Sequence, residues 1–165
     1  MNFLKGFKYA FFGFIYCIKN ERNMRIHTVA AMYVLVFARF FTFSRSEYAV
    51  LLLTIGGVIS VEALNTAVEC LADRITKEKD PLVKAAKDCS AGAVLILAVI
   101  SAAIGAVLFL KPEGFEQMYG YYISHPLELA GMVVLLPLSL IYIIAGPVGI
   151  ADAFRKKGKK RRNDK

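Results

Sequence analysis

The sequence predicts an all-α integral membrane fold, with an N-terminal amphipathic surface helix followed by four transmembrane helices. Three observations lead there. Hydrophobic residues make up 57% of the 165 and charged residues only 21%, for a mean hydropathy of +0.51. That is more apolar than a soluble domain with a wet exterior. The charges fall in three blocks separated by long apolar runs. Those runs reach the ~20 residues that a helix needs to cross hydrocarbon. The net charge of +8 is therefore read as membrane flank and not as a nucleic-acid surface.

The elements follow in order. Over residues 1–20, Phe3, Phe7, Ala10, Phe11, Phe14, Ile15 and Ile18 recur at three- and four-residue spacing with lysines between them. This predicts a helix lying in the membrane surface. The stretch from Tyr9 to Ile18 is too short to span, and no small-residue cleavage site follows it, so a signal peptide is not expected. The first span, residues 28–43, is the shortest. It carries Arg39, which is expected to snorkel, beside the aromatic anchors Tyr33, Phe40 and Phe41. Residues 48–72, 89–110 and 126–151 form three longer spans. Residues 111–125 read as an outer connector with interfacial tyrosines, and residues 152–165 as a basic tail. Gly56, Gly57, Ala102, Ala103 and Gly105 allow close helix approach.

Basic residues set the orientation. Eighteen of the 21 lie in residues 1–27, 73–88 and the tail; only Arg39, Arg45 and Lys111 remain for the other side. That asymmetry predicts both termini and the middle loop in the cytoplasm, as four spans require. Cys17, Cys70 and Cys89 have no metal-ligand spacing and are expected to be reduced, buried thiols. His27 and His125 are expected to be interfacial hydrogen-bonders.

The informative residues lie in the second predicted span. At about 100° per residue, Glu62, Asn65, Glu69 and Asp73 fall within roughly 80° of one another on a helix. They form a polar stripe on an otherwise apolar element. Ionisable groups at membrane depth are costly and point to function. An internal ion pair holding a bundle together is the structural explanation. It is weakened because the stripe holds three acids and an amide but no cation, and a divalent metal would supply the missing charge. Two cytoplasmic segments lie at the same depth: Glu21 to His27, and the Thr76–Pro81 loop followed by Lys87 and Asp88. Acids for a metal and basic groups at a membrane boundary suit a nucleotide phosphate meeting a lipid headgroup.

Residues 1–110 resemble the small prokaryotic diacylglycerol kinases. The resemblance rests on Glu21-Arg-Asn-Met-Arg-Ile-His27, on Val61-Glu-Ala-Leu-Asn-Thr-Ala-Val-Glu69 with Asp73-Arg74, and on Ala86-Lys-Asp88 with Ser90-Ala91. It implies a homotrimeric lipid kinase of the bacterial inner membrane using ATP and Mg2+. By the same resemblance Glu62 would be the catalytic base, and Glu21 and Glu69 the magnesium-binding carboxylates. Tyr9, Glu21, Asn65, Glu69, Asp73, Glu78, Lys79, Asp80, Lys87 and Asp88 would surround ATP. Arg22, Asn23, Arg25, Glu62 and Ala91 would meet the lipid substrate.

No Walker-type or protein-kinase motif is present. The first motif is similar to the branch acting on undecaprenol, and diacylglycerol is the alternative acceptor. The span at 126–151 and the basic tail fall outside the family's three-span pattern. A transporter subunit would explain Glu62 and Glu69, but not the cytoplasmic clustering of Glu21, Lys87 and Asp88. An inactive scaffold sits poorly with an intact Glu62, Asn65 and Glu69.

Overall fold

The computed structural model describes residues 3–76 and 78–163, with the side chains of Phe154 and of residues 156–163 not described. Lys77 and the basic side chains from Lys156 onward, which enter the orientation argument, thus lie outside the described residues. Six α-helices and no strand occur among the described residues: α1 (Phe3–Asn20), α2 (Arg22–Ala38), α3 (Arg45–Ile75), α4 (Pro81–Phe109), α5 (Pro112–Ser124) and α6 (Pro126–Asn163). They fall into two compact units, residues 30–126 and residues 1–29 with 127–165.

The first of these units is built on α3 and α4, its most extensively packed pair. Local chemistry fixes where both helices start. Ser44 and Glu47 form a reciprocal capping box: the Glu47 N–H donates to Ser44 Oγ at 3.2 Å, and the Ser44 N–H donates to Glu47 Oε2 at 2.7 Å. The helix therefore begins at Arg45 and not at the apolar edge near Tyr48. At the head of α4, Asp80 Oδ1 accepts from the N–H groups of Leu82 and Val83, with Pro81 at the first helical position. The helix thus starts eight residues before the predicted span. As a result Lys87 and Asp88 stand inside the helix and not at its opening.

Three described helices are long and apolar enough to cross a membrane: Arg45–Ile75, Pro81–Phe109 and Pro126–Ala153. The chain is a membrane protein. The predicted first span differs from what is observed. α2 has 17 residues, about 25 Å of helix against roughly 30 Å of hydrocarbon. It ends at Ala38, where tight turn bonds follow from Phe40 N–H to Phe37 O and from Phe41 N–H to Ala38 O. The Arg39 guanidinium lies over the rings of Phe40 and Tyr121, at 4.7 and 4.8 Å.

Residues 111–125 are not a loop. Pro112 starts α5, and tertiary packing holds the helix in place. Phe40 meets Tyr121 and Tyr122, and Phe41 meets Phe109 and Phe115 edge-on. Lys111 Nζ bonds Glu47 Oε1 at 2.7 Å. Gly114 lies against the Phe41 ring, where a Cβ would collide with it. A small core of Ala38, Leu51 and Leu108, flanked by Val34, Ile55 and Ile104, lies in the same unit.

In the other unit α1 buries only Cys17 and leaves Phe3, Leu4, Phe7 and Phe11 exposed, as a helix bathed in lipid requires. α6 is broken at Gly146, whose φ of 65° and ψ of 170° are non-helical. None of the three cysteines forms a disulfide. Cys17 is buried as expected, whereas Cys70 and Cys89 are exposed.

Candidate active site

α3 buries Leu51, Val58, Glu62, Asn65, Thr66 and Ala72 along one side. That is the side of the predicted stripe, so the polar residues share the packed face with apolar ones. Glu62 is only 1% exposed and Asn65 is 7%. Burial of a carboxylate to this degree costs several kcal/mol unless neighbours stabilise it, which marks Glu62 as the most demanding residue of the helix.

Above Glu62 the polar groups connect. Asn65 Nδ2 donates to Glu69 Oε1 at 3.0 Å. From α4 the Ser90 hydroxyl lies 2.7 Å from Asn65 Oδ1 and 2.9 Å from Lys87 O. One turn further, Lys87 Nζ bonds Asp73 Oδ1 at 2.8 Å. Two cross-links therefore clamp α3 to α4 at the end of the polar stripe. Ser90 was quoted in the sequence motif but not assigned to the site. Its spacing of three from Lys87, on the same side of α4, was the available signal.

Beyond Asp73 the helices part around an open cleft of about 980 Å³, lined by Asp73, Thr76, Glu78, Lys79, Asp80 and Lys87 among others. Asp88 borders the same space. The nucleotide candidates Asp73, Glu78, Lys79, Asp80, Lys87 and Asp88 are thus brought together, and Asn65 and Glu69 are joined by their hydrogen bond. Asp80 also caps α4, so part of its carboxylate is committed to the fold. Ala91 is exposed on α4, one residue after Ser90.

The remaining candidates belong to the other unit. Tyr9 is 63% exposed on α1. Glu21 is the single residue between α1 and α2 and is half-buried; Arg22 and Asn23 are exposed. Arg25 is buried, at 6% exposure. Its Nη1 donates to Ile18 O and Lys19 O at 3.1 and 3.3 Å, and its Nε donates to Ile143 O at 3.0 Å. His27 is half-buried.

Known proteins decide the class. The pattern of the prokaryotic diacylglycerol kinase family matches residues 8–109, which run from α1 to the end of α4. This chain belongs to that family. It is a lipid kinase. An undecaprenol kinase of Bacillus subtilis (strain 168) is 44% identical over 108 residues, covering 66% of this chain and 88% of the relative. A diacylglycerol kinase of Synechocystis sp. is 39% identical over 112 residues, covering 67% of this chain and 64% of the relative. A diacylglycerol kinase of Haemophilus influenzae is 30% identical over 103 residues, covering 62% and 87%.

The kinase family implies ATP as phosphoryl donor, and magnesium can be tested against the residues present. No group of three or more His, Cys, Asp or Glu capable of holding a metal occurs among the described residues. Magnesium does not require one: it is commonly held by one or two carboxylates together with substrate phosphates. Glu69, a hard oxygen donor oriented by Asn65 and one turn from the cleft-lining Asp73, fits that mode.

Proposed function

We propose that this kinase transfers the γ-phosphoryl group of ATP to the terminal hydroxyl of undecaprenol, giving undecaprenyl phosphate and ADP. The observation that carries the reading is the continuous polar ladder on α3. It runs from buried Glu62 through Asn65 and Glu69 to Asp73 at the open cleft. From Glu62 to Asp73 is eleven residues, about 16 Å of helix. The nucleoside end of ATP can thus stay in the wet cleft while the triphosphate reaches along the ladder past Glu69, so that the γ-phosphorus meets the lipid hydroxyl beside Glu62.

The roles follow from the chemistry. Lys87 and Lys79, which line the cleft, offset the charge of the nucleotide phosphates, with Asp73 holding Lys87 in place. Glu69, with Glu21, would hold magnesium, which when bound neutralises charge on the β- and γ-phosphates. Glu62 accepts the proton of the lipid hydroxyl as its oxygen bonds the γ-phosphorus and the bond to ADP breaks. Arg22 and Asn23, exposed after Glu21, would meet the lipid substrate. The 18-to-3 distribution of basic residues supports an inner-membrane chain with both termini cytoplasmic. The four-span topology, with α2 as the shortest span, and a homotrimer belong to the same proposal.

The choice of undecaprenol is supported by the 44% identical Bacillus relative of that name. Diacylglycerol is the second reading, favoured by the 39% identical Synechocystis relative. The deciding experiment is transfer from labelled ATP, with magnesium and in detergent, to both lipids side by side. Preferential labelling of undecaprenol supports the first reading. Preference for diacylglycerol keeps the chemistry and overturns the acceptor. Labelling of neither by folded protein sinks both.

A further inference from the structure

Two helix ends meet at one buried cation in the unit formed by residues 1–29 and 127–165. The last carbonyls of any α-helix lack intrahelical partners and carry the negative end of its dipole. Arg25 Nη1 takes up two of them at the end of α1, Ile18 O and Lys19 O. Its Nε takes up a third, Ile143 O in α6. That third carbonyl is available for a specific reason: its regular donor would be the N–H of residue 147, and residue 147 is proline, which has none. Gly146 completes the arrangement. It is buried, its φ of 65° breaks α6 there, and a Cβ on it would come within 3.1 Å of Arg25 Cζ and Nη1. Glycine alone meets both demands, the left-handed backbone and the close approach.

From this geometry we infer that Gly146 and Pro147 form, with Arg25, a clasp that positions the Glu21–Asn23 segment for the kinase reaction. Gly146 and Pro147 lie outside the family-matched residues 8–109, so the clasp ties the Glu21–Asn23 segment to a helix beyond the matched residues. Glu21 is the one residue linking α1 to α2, and Arg25 bonds the helix end directly before it. Releasing Arg25 frees the joint on which Glu21, Arg22 and Asn23 stand. The inference rests on the proposed role of that segment at the metal and the lipid.

The test uses the full chain in detergent and the Pro147→Ala variant. Alanine restores an N–H that can donate to Ile143 O, so α6 can run on as a continuous helix and displace Arg25 Nε. Removing proline from a helix favours the helix itself, so the thermal midpoint should hold or rise. Catalysis should move the other way. The KM for lipid should rise about tenfold, the scale of one hydrogen bond to a charged group, with kcat changed less. Amides of residues 18–25 should exchange hydrogen faster. A midpoint that falls together with activity would reduce the clasp to a structural contact and overturn the inference, as would unchanged KM and unchanged exchange.

Gly146→Ala gives a second reading of the same contact: its loss of kcat/KM should not be additive with that of Arg25→Lys. Additive losses would place the two residues in separate roles. Absence of lipid phosphorylation by the unsubstituted chain would sink the functional proposal instead, while the exchange of residues 18–25 would still report the clasp.

Discussion

The Ser90 hydroxyl on α4 bonds Asn65 Oδ1 on α3 at 2.7 Å, while the amide nitrogen of Asn65 donates to Glu69 at 3.0 Å. The direction of this chain is fixed at the Glu69 end. A carboxylate only accepts, so the amide must turn its nitrogen to Glu69 and its oxygen to Ser90. Ser90 therefore sets the orientation of a proposed magnesium ligand without touching the metal.

Ser90→Ala removes the donor and leaves Asn65 Oδ1 without it. A neutral hydrogen bond contributes about 0.5–1.5 kcal/mol, so the KM for magnesium-ATP should rise roughly 2- to 10-fold with kcat little changed. Steady-state kinetics at saturating lipid would show it. An unchanged KM would mean that Glu69 holds its position without the relay.

Lys87 and Asp73 form a contact of a different kind. Their side chains are 37% and 72% exposed, and exposed ion pairs contribute about 0–1 kcal/mol. Lys87→Met should therefore leave the thermal midpoint almost unmoved. Nucleotide affinity should fall about 10-fold or more, since a hydrogen bond to a charged group such as phosphate is worth roughly 1.5–3 kcal/mol. Equilibrium ATP binding beside a melting curve separates the two effects. A destabilised variant with normal affinity would assign the lysine to the fold.

The polar ladder was legible in the sequence because a helix repeats on a fixed angle, and Glu62, Asn65, Glu69 and Asp73 keep to it. Helix starts were legible in principle: Ser44 and Glu47 stand three apart, and Asp80 precedes Pro81. Apolar windows alone put those starts at Tyr48 and Cys89. α5 was not legible. Glu113, Glu116 and Gln117 make it look like a connector, and the helix is held by Phe40 and Phe41 from the turn after α2. The setting of Arg25 was equally hidden, since its bond to Ile143 joins residues 118 apart in sequence. No local pattern announces such a contact.

Gly114→Ala tests the packing of α5. The added Cβ would meet the Phe41 ring, and overpacking costs about 1–3 kcal/mol. The thermal midpoint should drop while activity per folded molecule is kept, because α5 carries no proposed site residue. Melting of the detergent-solubilised variant checks the first outcome, and ATP turnover normalised to folded protein checks the second.

Glu62 and Glu69 should fail in different ways, although they stand on the same helix seven residues apart. Glu62→Gln keeps the shape of a nearly fully buried side chain but exchanges one acceptor oxygen for an NH2 donor and cannot serve as a base. A positioned general base contributes about 10²–10⁴ in rate, so kcat should fall at least a hundredfold while ATP binding and the thermal midpoint are retained. Glu69→Gln keeps the contact with Asn65 but weakens a hard anionic donor. Its deficit should therefore shrink as magnesium is raised, because mass action can refill a weakened site but cannot replace a missing base. Titrating magnesium against turnover for both variants distinguishes the roles. If raised magnesium rescues Glu62→Gln and not Glu69→Gln, the two assignments must be exchanged.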